Sequence, residues 1–288
     1  MDATIFFIVA LCSQTFLLSW YLPKRVQARM RYIFDHYPYE QYPKLYGGNL
    51  DRSQKNYRIH IFFNNLMFSA GIGLIIGVAY LGDSLPSGVA ALGSFGYGMF
   101  QAIPLIVMDF VMLRHCKKLR DENDTPQRSA SLTPRSIFNH TSMAMLILVF
   151  SFYLMASLFD MYTKGFDFSL GFELFEAFAI LSGVNIFFIF MIRWRVYGKK
   201  LNPLTSPEDD KKEIDAVVQS TLFVSSAASI FFMTMRAVNV YEIDQFEGVL
   251  MSIYMQAIFV YSIIFSLNQN KVEDMNLEMY REEPSRQV

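Results

Sequence analysis

The sequence predicts an all-α, polytopic transmembrane helical bundle of about seven spanning helices, with its N-terminus outside and its C-terminus in the cytoplasm. Three observations carry that expectation. Hydrophobic residues make up 53% of the chain and charged residues only 18%, with 28 Phe and 17 Met among 288 residues, a composition foreign to soluble domains. Seven apolar runs approach the roughly 20 residues needed to cross about 30 Å of hydrocarbon. Finally, the charges lie in blocks between those runs, so a net charge of −1 hides strong segregation.

The expected spans are 3–22, 61–82, 88–113, 142–162, 170–192, 216–235 and 248–267. They form one transmembrane domain over residues 1–268, followed by a polar cytoplasmic tail, 269–288. The first run has no basic residue ahead of it and is followed by Pro23, Lys24, Arg25, Arg29 and Arg31 instead of a small-residue cleavage site. This reads as a retained helix, not a cleaved signal peptide. The stretch from Val26 to Phe34 mixes basic and apolar residues as an interfacial helix would. The stretch Tyr37-Pro38-Tyr39-Glu40-Gln41-Tyr42-Pro43-Lys44-Leu45-Tyr46 is expected against the headgroups, where tyrosine keeps its hydroxyl wet, or else as a partner-docking element.

The second span contains Gly73-Leu74-Ile75-Ile76-Gly77, a GxxxG pattern that admits a close neighbouring helix. The third is the least regular, with Gly88, Gly93, Gly96 and Gly98 before Pro104, residues better tolerated in membranes than in water. The last six spans suggest three hairpins after a lone first helix. Arg31-Tyr32-Ile33-Phe34-Asp35-His36 resembles Arg135-Ser136-Ile137-Phe138-Asn139-His140, each upstream of a hairpin, either as a repeat trace or as a shared interfacial anchor.

Orientation follows from the cytoplasmic excess of Lys and Arg. The 23–59 loop carries eight, the 114–141 loop six, the 193–215 loop six and the tail three, leaving only Lys164 and Arg236 on the other side. The outer connections are short and acidic, with Asp83, Asp160, Asp167, Glu242, Asp244 and Glu247. The triplets Asn123-Asp124-Thr125 and Asn139-His140-Thr141 fall on the cytoplasmic side and are expected to carry no glycan.

Ionisable groups within spans are candidate sites by default. Asp109 lies five residues before Arg114, about 7–8 Å inside the helix end, as an ion pair with a partner such as His115 or Arg58, or as a transported-ion site. Glu173 and Glu176, one turn apart on the fifth helix, join Asp160 as an acidic outer mouth. That mouth is either solvated, or holds a divalent cation or a proton. Arg236 faces the Glu242, Asp244 and Glu247 cluster for a local ion pair. Gln101, Asn185, Gln256 and Ser225-Ser226 line a hydrophilic path or bond helix to helix. Gly73 with Gly77, and Ser225 with Ser229, are the packing faces, within the chain or between copies.

No catalytic constellation, phosphate loop or zinc motif occurs, and seven spans without a lysine in the last do not make a retinal Schiff-base protein. His36, His60, His115 and His140 map to the cytoplasmic boundary without metal-ligand spacing, and Cys12 and Cys116 lie at different depths. No metal or other cofactor is expected. The longest cytoplasmic loop, about 37 residues, is too short to bury its own core. The expected partners are membrane lipids and a membrane protein or a second copy, not nucleic acid, in a plasma membrane or bacterial inner membrane. The leading expectation is a non-enzymatic membrane subunit or scaffold. A small solute or cation transporter or channel comes second, and a lipid-acting interfacial enzyme using His115, His140 and Asp109 third.

Overall fold

The computed structural model describes residues 3–122, 135–198, 200, 202, 204–269, 271–275 and 277–281. It is all-helical, with no strand among the described residues, and seven helices are long and apolar enough to cross a membrane. The Asn123-Asp124-Thr125 triplet lies outside the described residues.

The first span is α1 (Ala3–Phe16) and α2 (Leu22–His36), joined by a π-helical turn over Leu17–Tyr21. Proline at 23 explains the turn: it has no N–H to donate and its ring crowds the carbonyl one turn back. The helix widens there, and Leu22 N–H reaches the carbonyl of Leu17, five residues back. The stretch 26–34 is continuous with the first helix, because the π turn absorbs the proline without ending the helix.

The other spans are α3 (Leu50–Leu81), α4 (Ser87–Glu122), α5 (Met143–Thr163), α6 (Glu176–Tyr197), α7 (Pro207–Val240) and α8 (Glu247–Gln269). Side-chain caps start three of them. Asn49 accepts from Arg52 N–H, Ser142 from Met145 N–H and Ser206 from Asp209 N–H, the last with Pro207 in the first turn. The irregular third span, α4, is the longest helix despite Pro104. The fifth starts differently from its expectation: Phe168–Phe175 is a 3₁₀ segment broken at Gly171, and α6 begins only at Glu176.

The end of the bundle where α1 begins is called proximal here, and the opposite end distal. Helices α1, α3, α4 and α8 form one group and α5, α6 and α7 another, with α8 packed along both α4 and α7. Stacked aromatic pairs line that seam, Phe223 on Tyr261 at 3.8 Å and Phe231 on Tyr254 at 4.1 Å. In the first group Gly71 is where α3 crosses α1 and α4, and a methyl group there would fall on the Tyr97 hydroxyl and the Thr15 side chain. The GxxxG glycines behave otherwise, since a methyl group at Gly73 or Gly77 would meet nothing within 4 Å. Within this chain, the close approach belongs to Gly71.

Helices α3, α4 and α7 run 32, 36 and 34 residues, about 48–54 Å, and so overshoot the hydrocarbon. At the distal end Tyr42, Leu119, Val272, Leu277 and Tyr280 bury one another. The tyrosine-rich stretch therefore turns Tyr42 and Tyr46 into protein rather than resting them on headgroups. No single loop supplies this core; 37–46, the end of α4 and the segment after α8 supply it jointly. The two similar hexapeptides differ in conformation, one inside α2 and the other in an extended stretch entering the 3₁₀ turn Ile137–Asn139, so the likeness is confined to sequence.

Candidate functional site: a buried hydrogen-bond chain and its flanking ion pairs

Three polar arrangements stand out, one near mid-depth and two near the helix ends. The first joins α1, its π turn, α3, α4 and α8. Ser13 Oγ donates to Gln256 Oε1 (3.0 Å), Gln256 Nε2 to Ser252 Oγ (3.2 Å), and Ser252 Oγ to Gln14 Oε1 (2.6 Å). Gln14 Nε2 donates to Gln101 Oε1 (3.1 Å), and Gln101 Nε2 to Ser19 Oγ (2.7 Å). Tyr97 donates to the Met67 carbonyl (3.0 Å), which leaves Ser19 Oγ to donate to Tyr97 at 3.3 Å. Along this path the donors run in one direction, with side bonds to the Ala10, Gln14 and Ser94 carbonyls, an order in which each bond polarises the next.

The centre of this chain is buried, while Ser13 and Gln256 at its start are half-buried. Gln14 is 0% exposed and Gln101 4%, and at Gly98 a methyl group would lie 2.6 Å from Met255 and 3.3 Å from Gln14 Nε2. The π turn brings Ser19 to the same face as Gln14, five residues apart where a regular helix places neighbours three or four apart. Apart from Tyr97 the members are amides and aliphatic hydroxyls, which do not ionise near neutral pH. The arrangement therefore fixes helices without carrying charge.

The second arrangement closes the proximal end of the other helix group. Asp160, 3% exposed, accepts from Lys164 Nζ at 2.8 Å and lies 3.2 Å from Arg236 Nε. Arg236 also donates to Thr163 Oγ1, and Lys164 to the Glu173 carbonyl. Arg236 is thus bound to Asp160 in place of the expected partners at 242–247. Glu173 and Glu176 are exposed and belong to different segments, one in the 3₁₀ stretch and one opening α6, so they do not share the α-helical face expected of them. Asp167 caps that 3₁₀ segment, and the hydrogen bonds from Ser169 hold its carboxyl below the usual aspartate range.

The third arrangement lies distally between α6 and α7. The buried Arg195 reaches Asp210 at 3.2 Å and Glu213 at 3.0 Å. Nearby, His140 Nδ1 meets Asp215 Oδ1 at 2.6 Å. Above these, Tyr42 donates to Glu278 Oε1 at 3.0 Å and Asn202 donates to the Tyr280 hydroxyl. The bond to Glu278, and then burial, raise the Tyr42 phenol above its ordinary value, while burial leads the same shift at Tyr280.

The remaining predicted residues are dispersed. Asp109 faces outward on α4, about 33 Å from Ser87 along the helix, with no ion pair among the described residues. His115 lies against Gly47, whose φ of +65° ends the 3₁₀ turn Pro43–Tyr46, whereas His140 is held by Asp215. Among the described residues no three His, Cys, Asp or Glu side chains cluster as metal ligands. Ser225 and Ser229 are buried within the chain, Ser225 donating to Asn185. Gln101 and Gln256 were legible as deep polar residues, but Ser13, Gln14, Ser19, Ser94, Tyr97 and Ser252 were missed. A signal existed in the spacings of 94, 97 and 101 and of 252 and 256, each set on one helix face.

Against protein-family models, curated proteins and solved structures, the chain shows no significant match.

Proposed function

We propose that this chain is a non-enzymatic membrane subunit or scaffold, a rigid helical platform whose distal cap receives a partner. The observation that carries this reading is the cap itself. Leu119, at the end of the overshooting helix α4, is buried there with Tyr42 from the stretch before α3 and with Val272, Leu277 and Tyr280 from the segment after α8. Support comes from the buried chain, in which deep amides and hydroxyls are spent on helix-to-helix bonds, and from Asp160, whose charge is matched by Lys164 and Arg236. The cap lies at the end carrying 23 of the 25 Lys and Arg residues, which favours a cytoplasmic cap and an outer N-terminus. The outward GxxxG face of α3 is available to a second membrane helix.

The test is gentle extraction from the native membrane followed by mass spectrometry. A stoichiometric polypeptide or a second copy is expected, with a cap-directed partner lost when exposed cap residues such as Glu40 and Lys44 are changed to Ala. Extraction as a lone monomer, with no partner by in-membrane crosslinking, overturns the reading.

One observation favours transport instead. A crevice of about 520 Å³ opens at the proximal end between Thr4, Val78, Leu85, Ser87 and Gln245. At its floor Phe7 and Ala90 crowd Gly248, whose carbonyl accepts from Ser94. Solute flux into vesicles that is abolished by Gln14→Leu would favour that reading.

A further inference from the structure

We infer that the distal crevice between α2 and the segment after α8 binds the phosphate of an anionic phospholipid headgroup. Arg25, Ala28, Arg29 and Tyr32 form one wall, and Leu267, Lys271, Val272 and Glu273 the other, around about 190 Å³. The first four share a face of α2 by their spacing of three, four and seven. Three cations against one carboxylate line the space.

Arg29 is the decisive residue. It is half-buried, yet no carboxylate lies within ion-pair distance among the described residues; its hydrogen bond is a weak one to Met275 Sδ at 3.7 Å. Glu273 on the opposite wall and Glu213 on α7 act on it only from further off. The contrast is with Arg195, more deeply buried, which has two carboxylates in contact. A half-buried guanidinium without a matching anion leaves unmet the pairing that buried charges require. Arg25 lies with its guanidinium 5.2 Å over the Tyr21 ring, which leaves the N–H edges of the fork free for oxygen ligands.

Depth selects the source of the phosphate. Arg25 is 22 residues beyond Ala3, about 33 Å along the helix, and Leu267 is 20 residues beyond Glu247, about 30 Å. Two separate helices thus place the crevice just past a hydrocarbon layer of about 30 Å, where headgroup phosphates lie. Just proximal to it Phe16 stacks with Trp20 at 5.0 Å and with Tyr21 at 6.5 Å, and Phe16 and Trp20 face outward. These rings mark the interface and offer a surface to the acyl chain of the same lipid. A phosphodiester accepts the planar fork of arginine in two parallel bonds. The inference needs only that the chain spans a membrane, so it stands or falls separately from the subunit reading.

The experiment is native mass spectrometry of the full chain with phosphatidylglycerol and phosphatidylcholine of identical acyl chains. Phosphatidylglycerol should be retained preferentially, and each cation removed, as Arg29→Gln, Arg25→Gln or Lys271→Gln, should cut that preference about fivefold. Lys24→Gln, on exposed surface outside the crevice, should leave it unchanged. Arg25 and Lys271 are exposed, so their double variant reads the site without burdening the fold. Equal retention of the two lipids, or a preference that survives all three substitutions, overturns the inference. So does displacement of the lipid by millimolar inorganic phosphate, which would make this a site for free phosphate.

Discussion

The two helix groups solve the same problem by different means. Helices α1, α3, α4 and α8 are joined near mid-depth by a chain of neutral amides and hydroxyls, while α5, α6 and α7 are joined near their ends by ions. Asp160 with Lys164 and Arg236 closes one end, and Arg195 with Asp210 and Glu213 the other. Between those ends the second group has only separate neutral contacts, such as Tyr153 with Ser182 at 2.7 Å. The difference follows from depth. An ion near a helix end keeps partial access to water and headgroups, whereas at mid-depth it would be costly. A neutral amide there needs only a partner, and the neighbouring helices supply one.

If the groups are held independently, damage to one should stay within it. The largest effect is expected for Asp160→Ala, which leaves Lys164 and Arg236 without their shared anion and should cost about 2–3 kcal/mol. Unfolding in mixed micelles measures the loss, and hydrogen exchange should rise in α5 and α7 but not in α1. Next comes Gln14→Leu, which breaks the neutral chain at its centre and should cost about 1–2 kcal/mol, given the modest worth of hydrogen bonds between membrane helices. Its exchange signature should be confined to α1, α4 and α8. Uniform softening of all helices by either variant would show instead that the α7–α8 seam makes the two groups one cooperative unit.

The smallest effect sharpens the contrast at the surface. Because its folded-state titration is lowered, Asp167 contributes stability that is fully present above the ordinary aspartate value and is lost as pH falls through the lowered one. Hydrogen exchange over 168–175 should therefore rise on acidification. In Asp167→Ala the segment should be loosened already at neutral pH and that step should vanish. The buried chain around Gln14 has no such group to titrate and should show no matching change.

From sequence alone, the membrane class, the seven spans and their order were determined, because hydrocarbon imposes a length and an apolarity that any single segment must meet. Met143–Thr163 and Glu247–Gln269 match the expected 142–162 and 248–267 to within a residue or two, since both are bounded by polar loops at both ends. The helix extensions were illegible for the opposite reason: beyond the bilayer apolarity is no longer required, and α3, α4 and α7 run on through charged sequence. Only the tertiary structure decided that Gln14 meets Gln101 and Ser252, that Asp160 takes both proximal cations, and that Tyr42 and Tyr280 share a core. Apart from the local Asp160–Lys164 pair, these are contacts between residues 76 to 238 positions apart in sequence. A polar residue in an apolar run announces that it needs a partner, but its own helix does not say which neighbour will provide one.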